Sequence, residues 1–218
     1  MDSVRSKVFV RRLFIFSSVS ALTTTVIGTM TLVGWLLESS VLKGYLPDSV
    51  PMNPLTAIFF ILLGLCLISL RDRDRHAHLY RAGKVLSTFT LVLISLHIVG
   101  SWGNGLRLDK FLFPSILGDN QMAPNTALCI LVATLALVLI DFRLKNRREQ
   151  HPFQILAVLV TFIALQVIVG YMYGSKEFVR SGSFFPMALN TALGLFGFGL
   201  GLLSLRANEG LMSLPSSH

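Results

Sequence analysis

The sequence predicts an all-α integral membrane domain of six transmembrane helices, built from three parallel two-helix repeats in a pseudo-threefold arrangement. The 218 residues are 53% hydrophobic and 14% charged, with a mean hydropathy of +0.67, whereas soluble domains are about 25% charged. Six apolar stretches contain no Asp, Glu, Lys or Arg, and a short motif recurs at the start of every second stretch. This composition argues against a soluble enzyme and favours a polytopic membrane protein.

Each apolar stretch is close to the roughly 20 residues that a membrane-spanning helix needs. The first stretch follows several basic residues, as in a signal peptide, but it is too long and no clear cleavage site follows it. We therefore expect a retained helix there. The predicted spans are 13–37, 53–70, 85–103, 122–140, 153–173 and 186–205.

The loops between the spans predict the orientation in the membrane. The N-terminus, residues 71–84, residues 141–151 and the tail carry 14 of the 19 Lys and Arg residues. With acidic residues included, that side has a net charge of +8 and the other side has a net charge of 0. Because basic loops stay in the cytoplasm, both termini are predicted to be cytoplasmic. Topology thus accounts for the basic balance, and no nucleic-acid partner is predicted.

A repeat runs through the whole chain, which we treat as one domain. Gly34, Gly100 and Gly170, near the ends of the odd-numbered spans, are 66 and 70 residues apart. Every repeat would start and end on the same side of the membrane, so the repeats are parallel, unlike those of inverted-repeat transporters. Related strings open the even-numbered spans, namely PMNPLTA (51–57), MAPNTAL (122–128) and PMALNTAL (186–193). The repeats cover about 10–72, 80–142 and 150–206, followed by a tail at 207–218.

The repeated helix start has two interpretations. In the structural one, proline fits the first helical turn, threonine bonds back to a carbonyl one turn earlier, and small residues allow close packing. In the functional one, three helix N-termini with partial positive charge, flanked by amides and aromatic rings, line an outward-facing pocket for a small polar or amphipathic ligand. An interfacial aromatic belt is the alternative for the rings. The candidate ligand-binding residues are Trp35, Thr56, His97, Trp102, Asn125, Thr126, Gln166, Tyr171, Tyr173, Asn190 and Thr191.

His97 is the one histidine inside a predicted span, and Gln166 lies at a similar depth. We expect His97 to be a hydrogen-bonded packing residue, with ligand or quinone contact and pH sensing as alternatives, and Gln166 to share its polar cluster. A haem with two histidine ligands is not expected, since no second histidine lies in a span. A haem held by His97 and one methionine, Met52, Met122 or Met187, stays open. The cofactor is thus unassigned, with a quinone or a lipid as candidates.

Other chemistry is missing from the predicted spans. Without Asp, Glu, Lys or Arg there, no proton relay or ion-coupling site is predicted. No serine-hydrolase, phosphate-loop or zinc-protease motif occurs, so we expect no enzymatic activity in this chain. Cys66 and Cys129 lie in apolar runs and are predicted to be core residues, not disulfide or metal ligands. The longest outer loop, 104–121, is either a lid over a ligand or a plain solvated loop.

The strings at 121–128 and 186–193 resemble the membrane-integral N-terminal sensor modules of bacterial histidine kinases, hybrid kinases and diguanylate cyclases. Residues 106–113 and 170–174 fit the same pattern, and the resemblance covers residues 10–206. In that family the third motif often has His where this chain has Asn190. The resemblance implies a bacterial inner-membrane location, a homodimer and a cytoplasmic output domain after the sixth helix. We expect a truncated sensor region of a kinase or cyclase, with a standalone relative as the alternative.

The predicted function is a sensory input module that detects a small molecule, a lipid or quinone, or a membrane state from the outer side. A small shift of the sixth helix would carry the signal to a cytoplasmic kinase or cyclase. The alternatives are a small transporter or channel subunit and a structural subunit of a larger membrane complex. Hydroxyl groups in the first and third spans, such as Thr24, Ser87 and Thr90, would line a transport path or else bond back to their own helices.

Overall fold

A computed structural model describes residues 2–44, 50–73, 76–102, 107–114, 117–118, 120–143, 151–173 and 187–206, with the side chains of 2–7, 10 and 102 excepted. Within these ranges the chain is all-helical and contains no strand, which confirms the predicted fold class at this level. The helices are α1 (Asp2–Leu36), α2 (Ser40–Lys43), α3 (Pro54–Ser69), α4 (Ala77–Trp102), α5 (Leu108–Leu112), α6 (Pro124–Val138), α7 (Pro152–Met172) and α8 (Leu189–Leu205).

Each predicted span contains one helix, and each helix ends within two residues of the predicted end. Two helices begin before the predicted spans: α1 begins at Asp2 and α4 at Ala77, whereas the spans were predicted to start at 13 and 85. The apolar part of α1 begins at Arg11. Charged side chains ended the apolar windows there, but Lys and Arg are good helix formers and do not end a helix. The predicted tail, 207–218, lies outside the described residues.

Three of the helices are long and apolar enough to cross a membrane, as in a helical membrane protein: Arg11–Leu36 within α1, Ala77–Ser101 within α4, and α7. The other apolar helices are shorter, with 16 residues in α3, 15 in α6 and 17 in α8. Proline is the first residue of α3 and of α6, where its missing N–H group leaves no helical hydrogen bond unmade. Proline thereby sets where these short helices begin.

The six apolar helices pack as a closed ring. α1 contacts α3, α4 contacts α6 and α7 contacts α8, so consecutive apolar helices form hairpins. Each hairpin also contacts the next, through α3 with α4, α6 with α7, and α8 with α1. The three short helices touch one another in the middle of the ring. The short helices therefore form the core, and the long helices surround them.

Burial follows this arrangement. Phe59 and Phe60 of α3 and Phe198 of α8 are fully buried, because short helices are covered on most sides. The long helices instead expose apolar side chains at helical spacing, as Phe89, Leu96 and Val99 do on α4. Contact with water would make such an outward apolar face energetically unfavourable, whereas contact with lipid chains would not. The apolar outer surface is therefore suited to a lipid environment.

Glycine lets several of these helices approach closely. A Cβ atom added to Gly28 of α1 would lie 2.5 Å from the carbonyl oxygen of Ala57 on α3. One added to Gly64 of α3 would lie 2.6 Å from the carbonyl oxygen of Ala21 on α1. Backbone atoms cannot move aside cheaply, so α1 and α3 need glycine at both places.

The side-chain hydrogen bonds that join different helices concentrate at the two ends of the bundle. At the end where α3, α6 and α8 begin, one group of side chains and backbone carbonyls is joined by hydrogen bonds, and we call it the aromatic layer. Its members are Thr31, Trp35, Lys43, Met52, Asn53, Asn120, Tyr171, Met187 and Asn190. At the opposite end, Arg73, Tyr80, Lys84 and Arg206 surround Asp141, and we call this the basic layer. α8 runs from the first layer to the second.

Candidate functional site

Two aromatic side chains make matching hydrogen bonds in the aromatic layer. The Trp35 Nε1–H group donates to the carbonyl oxygen of Met52 at 2.8 Å. The Tyr171 hydroxyl donates to the carbonyl oxygen of Met187 at 3.0 Å. In both hairpins a ring near the end of the long helix thus holds the residue just before the short helix. Trp102 belongs to α4, but its side chain lies outside the described residues.

Asn190 joins α8 to the first hairpin. Its side chain is 1% exposed, and its Nδ2 group donates to the Lys43 carbonyl at 3.2 Å and, more weakly, to the Thr31 hydroxyl at 3.5 Å. Its Oδ1 atom accepts the N–H group of Thr191 at 3.0 Å, inside the first turn of α8. Both ends of this amide are therefore engaged within the protein. Asn190 thus connects α8 to α1 and α2, and a ligand at this position would have to compete with these hydrogen bonds.

Further contacts close the layer around the start of α3. The Asn53 Oδ1 atom caps α3 by accepting the N–H group of Leu55 at 2.9 Å. The Asn53 Nδ2 group reaches Asn120 Oδ1 at 3.3 Å, and Asn120 donates in turn to the Pro51 carbonyl at 3.1 Å. The Lys43 ammonium group lies 4.2 Å from the centre of the Trp35 ring, within the range of a cation–π interaction. The layer is thus a continuous polar network.

Residues of the outer loop form a buried ion pair beside α4. Arg107 Nη2 lies 3.0 Å from Asp109 Oδ2, and the Asp109 side chain is completely buried. Burial alone would raise the pKa of the Asp109 carboxyl, but the hydrogen bonds from Arg107 and the Lys110 N–H group hold this pKa below its ordinary value. This part of the outer loop packs on α3 and α4 through α5 and buries the carboxylate, while Lys110, Phe111 and Leu112 stay exposed.

Among the described residues at this end of the bundle, three buried polar atoms have no hydrogen-bond partner: Thr56 Oγ1, His97 Nδ1 and Arg107 Nε. The expected back-bond of Thr56 is not made. The carbonyl one turn earlier, that of Met52, instead accepts Trp35. His97 is 2% exposed and lies on α4, which contacts the short helix α5 that carries Asp109 and follows Arg107. We call His97, Arg107 and Asp109 the His97 cluster. Buried polar atoms without a partner, such as His97 Nδ1 and Arg107 Nε, are uncommon in folded proteins.

The remaining candidate residues are placed differently. Thr126 and Thr191 are buried, and the Asn125 Oδ1 atom accepts the Thr126 N–H group at 2.9 Å, as Asn190 does for Thr191. Gln166 is exposed on the outer side of α7, so the structure does not bring it to the buried His97. Tyr173 is 83% exposed. The candidates thus divide into buried helix-start residues and exposed residues on α7 and just beyond its end.

The basic layer was not predicted as a site. Asp141 lies 2.9 Å from Lys84 Nζ and 3.4 Å from Arg206 Nη2, and it also accepts the Tyr80 hydroxyl. Its burial favours a raised pKa, but the Tyr80 and Lys84 hydrogen bonds outweigh this and hold the pKa of the carboxyl below its usual value. One sequence signal was present: Asp141 is an acidic residue directly after an apolar run, at an end rich in Lys and Arg.

In the described ranges the side chains that could bind a metal ion are dispersed. No group of three His, Cys, Asp or Glu side chains is arranged there to hold a metal ion. The Met52 sulfur, one of the open partners for a haem with His97, already accepts the Thr31 hydroxyl at 3.5 Å.

Comparison of the chain with family models, curated proteins and solved structures gives no match.

Proposed function

We propose that the chain is a membrane-embedded sensory input module of a bacterial signalling protein. It detects a small molecule, a lipid or quinone, or a membrane state at the aromatic layer. It passes the signal through α8 to a cytoplasmic kinase or cyclase. The resemblance of the repeated helix starts to bacterial sensor modules supports this proposal, as do the buried polar groups that gather where α3, α6 and α8 begin.

The observation that carries the proposal is that α8 is bonded at both of its ends. At its start, Asn190 donates to the Lys43 carbonyl and the Thr31 hydroxyl in the aromatic layer. Just after its end, Arg206 lies 3.4 Å from Asp141 in the basic layer. The 17 residues between span about 25 Å. Because a helix moves as a rigid element, a displacement at one layer reaches the other.

The packing around α8 is suited to a small sliding movement. Gly199 and Gly201 face α7 and α1, where Cβ atoms would overlap Thr161 and Ser20. Smooth glycine surfaces of this kind allow two helices to slide without interlocking side chains. A ligand shifts such an equilibrium only by binding the two packings with different affinity. The aromatic layer would provide this difference in affinity, because its hydrogen bonds to Asn190 form in one packing of α8 and would break in the other.

We further propose that the six apolar helices all cross the inner membrane, with both termini and the basic layer in the cytoplasm. The excess of basic residues near Asp141 supports this orientation through the positive-inside rule. The closed ring of three hairpins and the matching bonds of Trp35 and Tyr171 support three parallel repeats. Lipids then cover the outer face, and a homodimer with a downstream output domain is the assembly that the resemblance implies.

The transporter alternative is less well supported. It requires hydroxyl groups that line a continuous polar path. Thr24 and Ser87 instead donate to carbonyl oxygens one turn earlier on their own helices, at 2.8 and 2.7 Å, and Thr90 does the same. These bonds satisfy the hydroxyl groups within each helix, which favours a packing role.

A chimeric protein tests the proposal. The full chain is joined through its C-terminus to a diguanylate cyclase domain, and cyclic dinucleotide production is measured in cells. Asn190→Ala should change the output at least severalfold, because it releases the start of α8. Gln166→Leu, on the exposed side of α7, is the control and should leave the output unchanged. Equal outputs from the parent chimera and from Asn190→Ala, at equal amounts in the membrane, would contradict the proposal.

A further inference from the structure

We propose that the His97 cluster binds a neutral carbonyl oxygen of a lipid-soluble molecule, either a quinone head group or the ester of a lipid. This inference rests on the proposed sensory function and names the ligand class for a cluster at the same end of the bundle as the aromatic layer. The binding position lies between the last turns of α4 and helix α5, which packs across α3 and α4.

Hydrogen-bond donors decide the first property of the ligand. Arg107 Nε–H can only donate, and it is buried without a partner. His97 Nδ1 is buried without a partner as well, and a neutral imidazole can carry its proton on that nitrogen. Thr56, on the α3 helix that α5 also contacts, has an unpaired hydroxyl. A ligand that pairs with Arg107 Nε must therefore present an acceptor, and an oxygen acceptor also suits the Thr56 hydroxyl and a His97 that carries its proton on Nδ1.

Charge decides the second property. The Arg107 guanidinium is already paired with the completely buried Asp109 carboxylate at 3.0 Å, so the pair is neutral as a whole. An anionic ligand would bring a second negative charge close to Asp109 and would lose its own hydration. A neutral carbonyl oxygen accepts the same hydrogen bonds without this repulsion. The cluster therefore favours a ketone or ester oxygen over a carboxylate or a phosphate.

The surroundings decide the third property. On α4, Leu96 and Val99 flank His97 and are 55% and 71% exposed on the apolar outer surface. On α5, Phe111 and Leu112 are exposed while Asp109 is buried, so this short helix presents apolar side chains away from the ion pair. A molecule dissolved in the lipid would reach the cluster from the side, through apolar contacts. This access favours a lipid-soluble ligand over a water-soluble one.

A pair of substitutions at His97 separates hydrogen bonding from packing. His97→Asn keeps an N–H donor at the position of Nδ1, whereas His97→Leu has a similar volume and no donor. Loss of one hydrogen bond of this kind weakens binding about tenfold. His97→Leu should also raise the unfolding temperature of the ligand-free protein, because it removes a buried unpaired group. Gln166→Leu, on the exposed side of α7, is the control.

The experiment measures the thermal unfolding of the full chain in micelles of an uncharged, ester-free detergent as each of three probes is added. Decylubiquinone is the quinone, diacylglycerol is the ester, and oleate is the anion. We expect decylubiquinone or diacylglycerol to raise the unfolding temperature of the parent, of His97→Asn and of Gln166→Leu, and to act about tenfold more weakly on His97→Leu. The more effective of the two probes identifies the source of the carbonyl.

The inference would be overturned if neither neutral probe raised the unfolding temperature of the parent protein, or if a neutral probe raised that of His97→Leu as much as that of the parent. A stronger effect of oleate would overturn the neutral-ligand assignment in the same way. The sensory function has its own readout in the cyclase chimera. If Asn190→Ala still changes the chimera output while the neutral probes fail, the ligand assignment is wrong and the sensory function stands.

Discussion

The packing of α8 against α1 leads to a quantitative prediction about two glycines of one helix. A Cβ atom added to Gly201 would overlap the Cβ atom of Ser20 on α1 and lie 2.8 Å from the Ser20 hydroxyl. A Cβ atom added to Gly197, one turn earlier, would have no protein atom within 4 Å. Both glycines lie on α8, and both would be replaced by alanine. The two substitutions therefore differ only in the neighbouring atoms that the added Cβ would meet.

The expected magnitudes follow from these surroundings. Replacing a helical glycine by alanine gains about 1 kcal/mol in helix propensity, and Gly197→Ala should show up to this gain. Gly201→Ala makes the same gain but overpacks the contact with α1, which costs about 1–3 kcal/mol. Because the Ser20 Cβ atom is held by its backbone, it cannot turn aside as the end of a long side chain would. Gly201→Ala should therefore be about 1–3 kcal/mol less stable than Gly197→Ala.

Reversible unfolding in mixed micelles, followed by circular dichroism, measures this difference. The same two substitutions in the cyclase chimera report whether the contact also controls signalling. Gly201→Ala should change the output and Gly197→Ala should not. Equal stability and equal output for the two variants would refute the close packing of α8 on α1 and the sliding contact built on it.

Three further predictions concern single side chains. Thr56→Val removes a buried unpaired hydroxyl and should stabilise the protein by about 1 kcal/mol in the same unfolding assay. Thr90→Val is the control and should not stabilise the protein, because the Thr90 hydroxyl donates to the Leu86 carbonyl at 2.7 Å. Asp141→Asn leaves the cations of the basic layer unbalanced and should destabilise by about 1 kcal/mol, since this cluster is partly exposed. Because the pKa of Asp109 is lowered in the folded protein, its stabilising effect is complete above the unfolded pKa of about 3.9 and is lost as the pH falls further. Unfolding temperatures at pH 3 and pH 6 should differ more for the parent protein than for Asp109→Asn, and equal differences would contradict the role assigned to this carboxylate.

The helices could be predicted from the sequence because membrane helices follow a simple rule. Runs without charge mark the helices, and their ends were predicted within two residues. The long basic starts of α1 and α4 could not be found by the same rule, since hydropathy reports what a membrane accepts and not where a helix begins. Proline at the first positions of α3 and α6 marked their starts independently of hydropathy.

The polar contacts were harder to predict because they depend on tertiary packing. Asp109 belongs to a loop with several charges, and a loop carboxylate is ordinarily solvated. Its burial depends on Arg107 two residues earlier and on the packing of α5 against α3 and α4. The motif identified Asn190 as a polar helix-start residue, but only the structure shows its bonds to Thr31 and Lys43, more than 140 residues away.

The central claim is that α8 couples the aromatic layer to the basic layer, and a double-mutant cycle tests it most directly. Unfolding free energies are measured for Asn190→Ala, Asp141→Asn and the double variant, with Asn53→Ala in place of Asn190→Ala as the control from another helix. Substitutions this far apart normally add to within about 0.3–0.5 kcal/mol. We predict a coupling energy of about 1 kcal/mol for the Asn190 cycle and additivity for the Asn53 cycle. Additivity in both cycles would contradict transmission through α8.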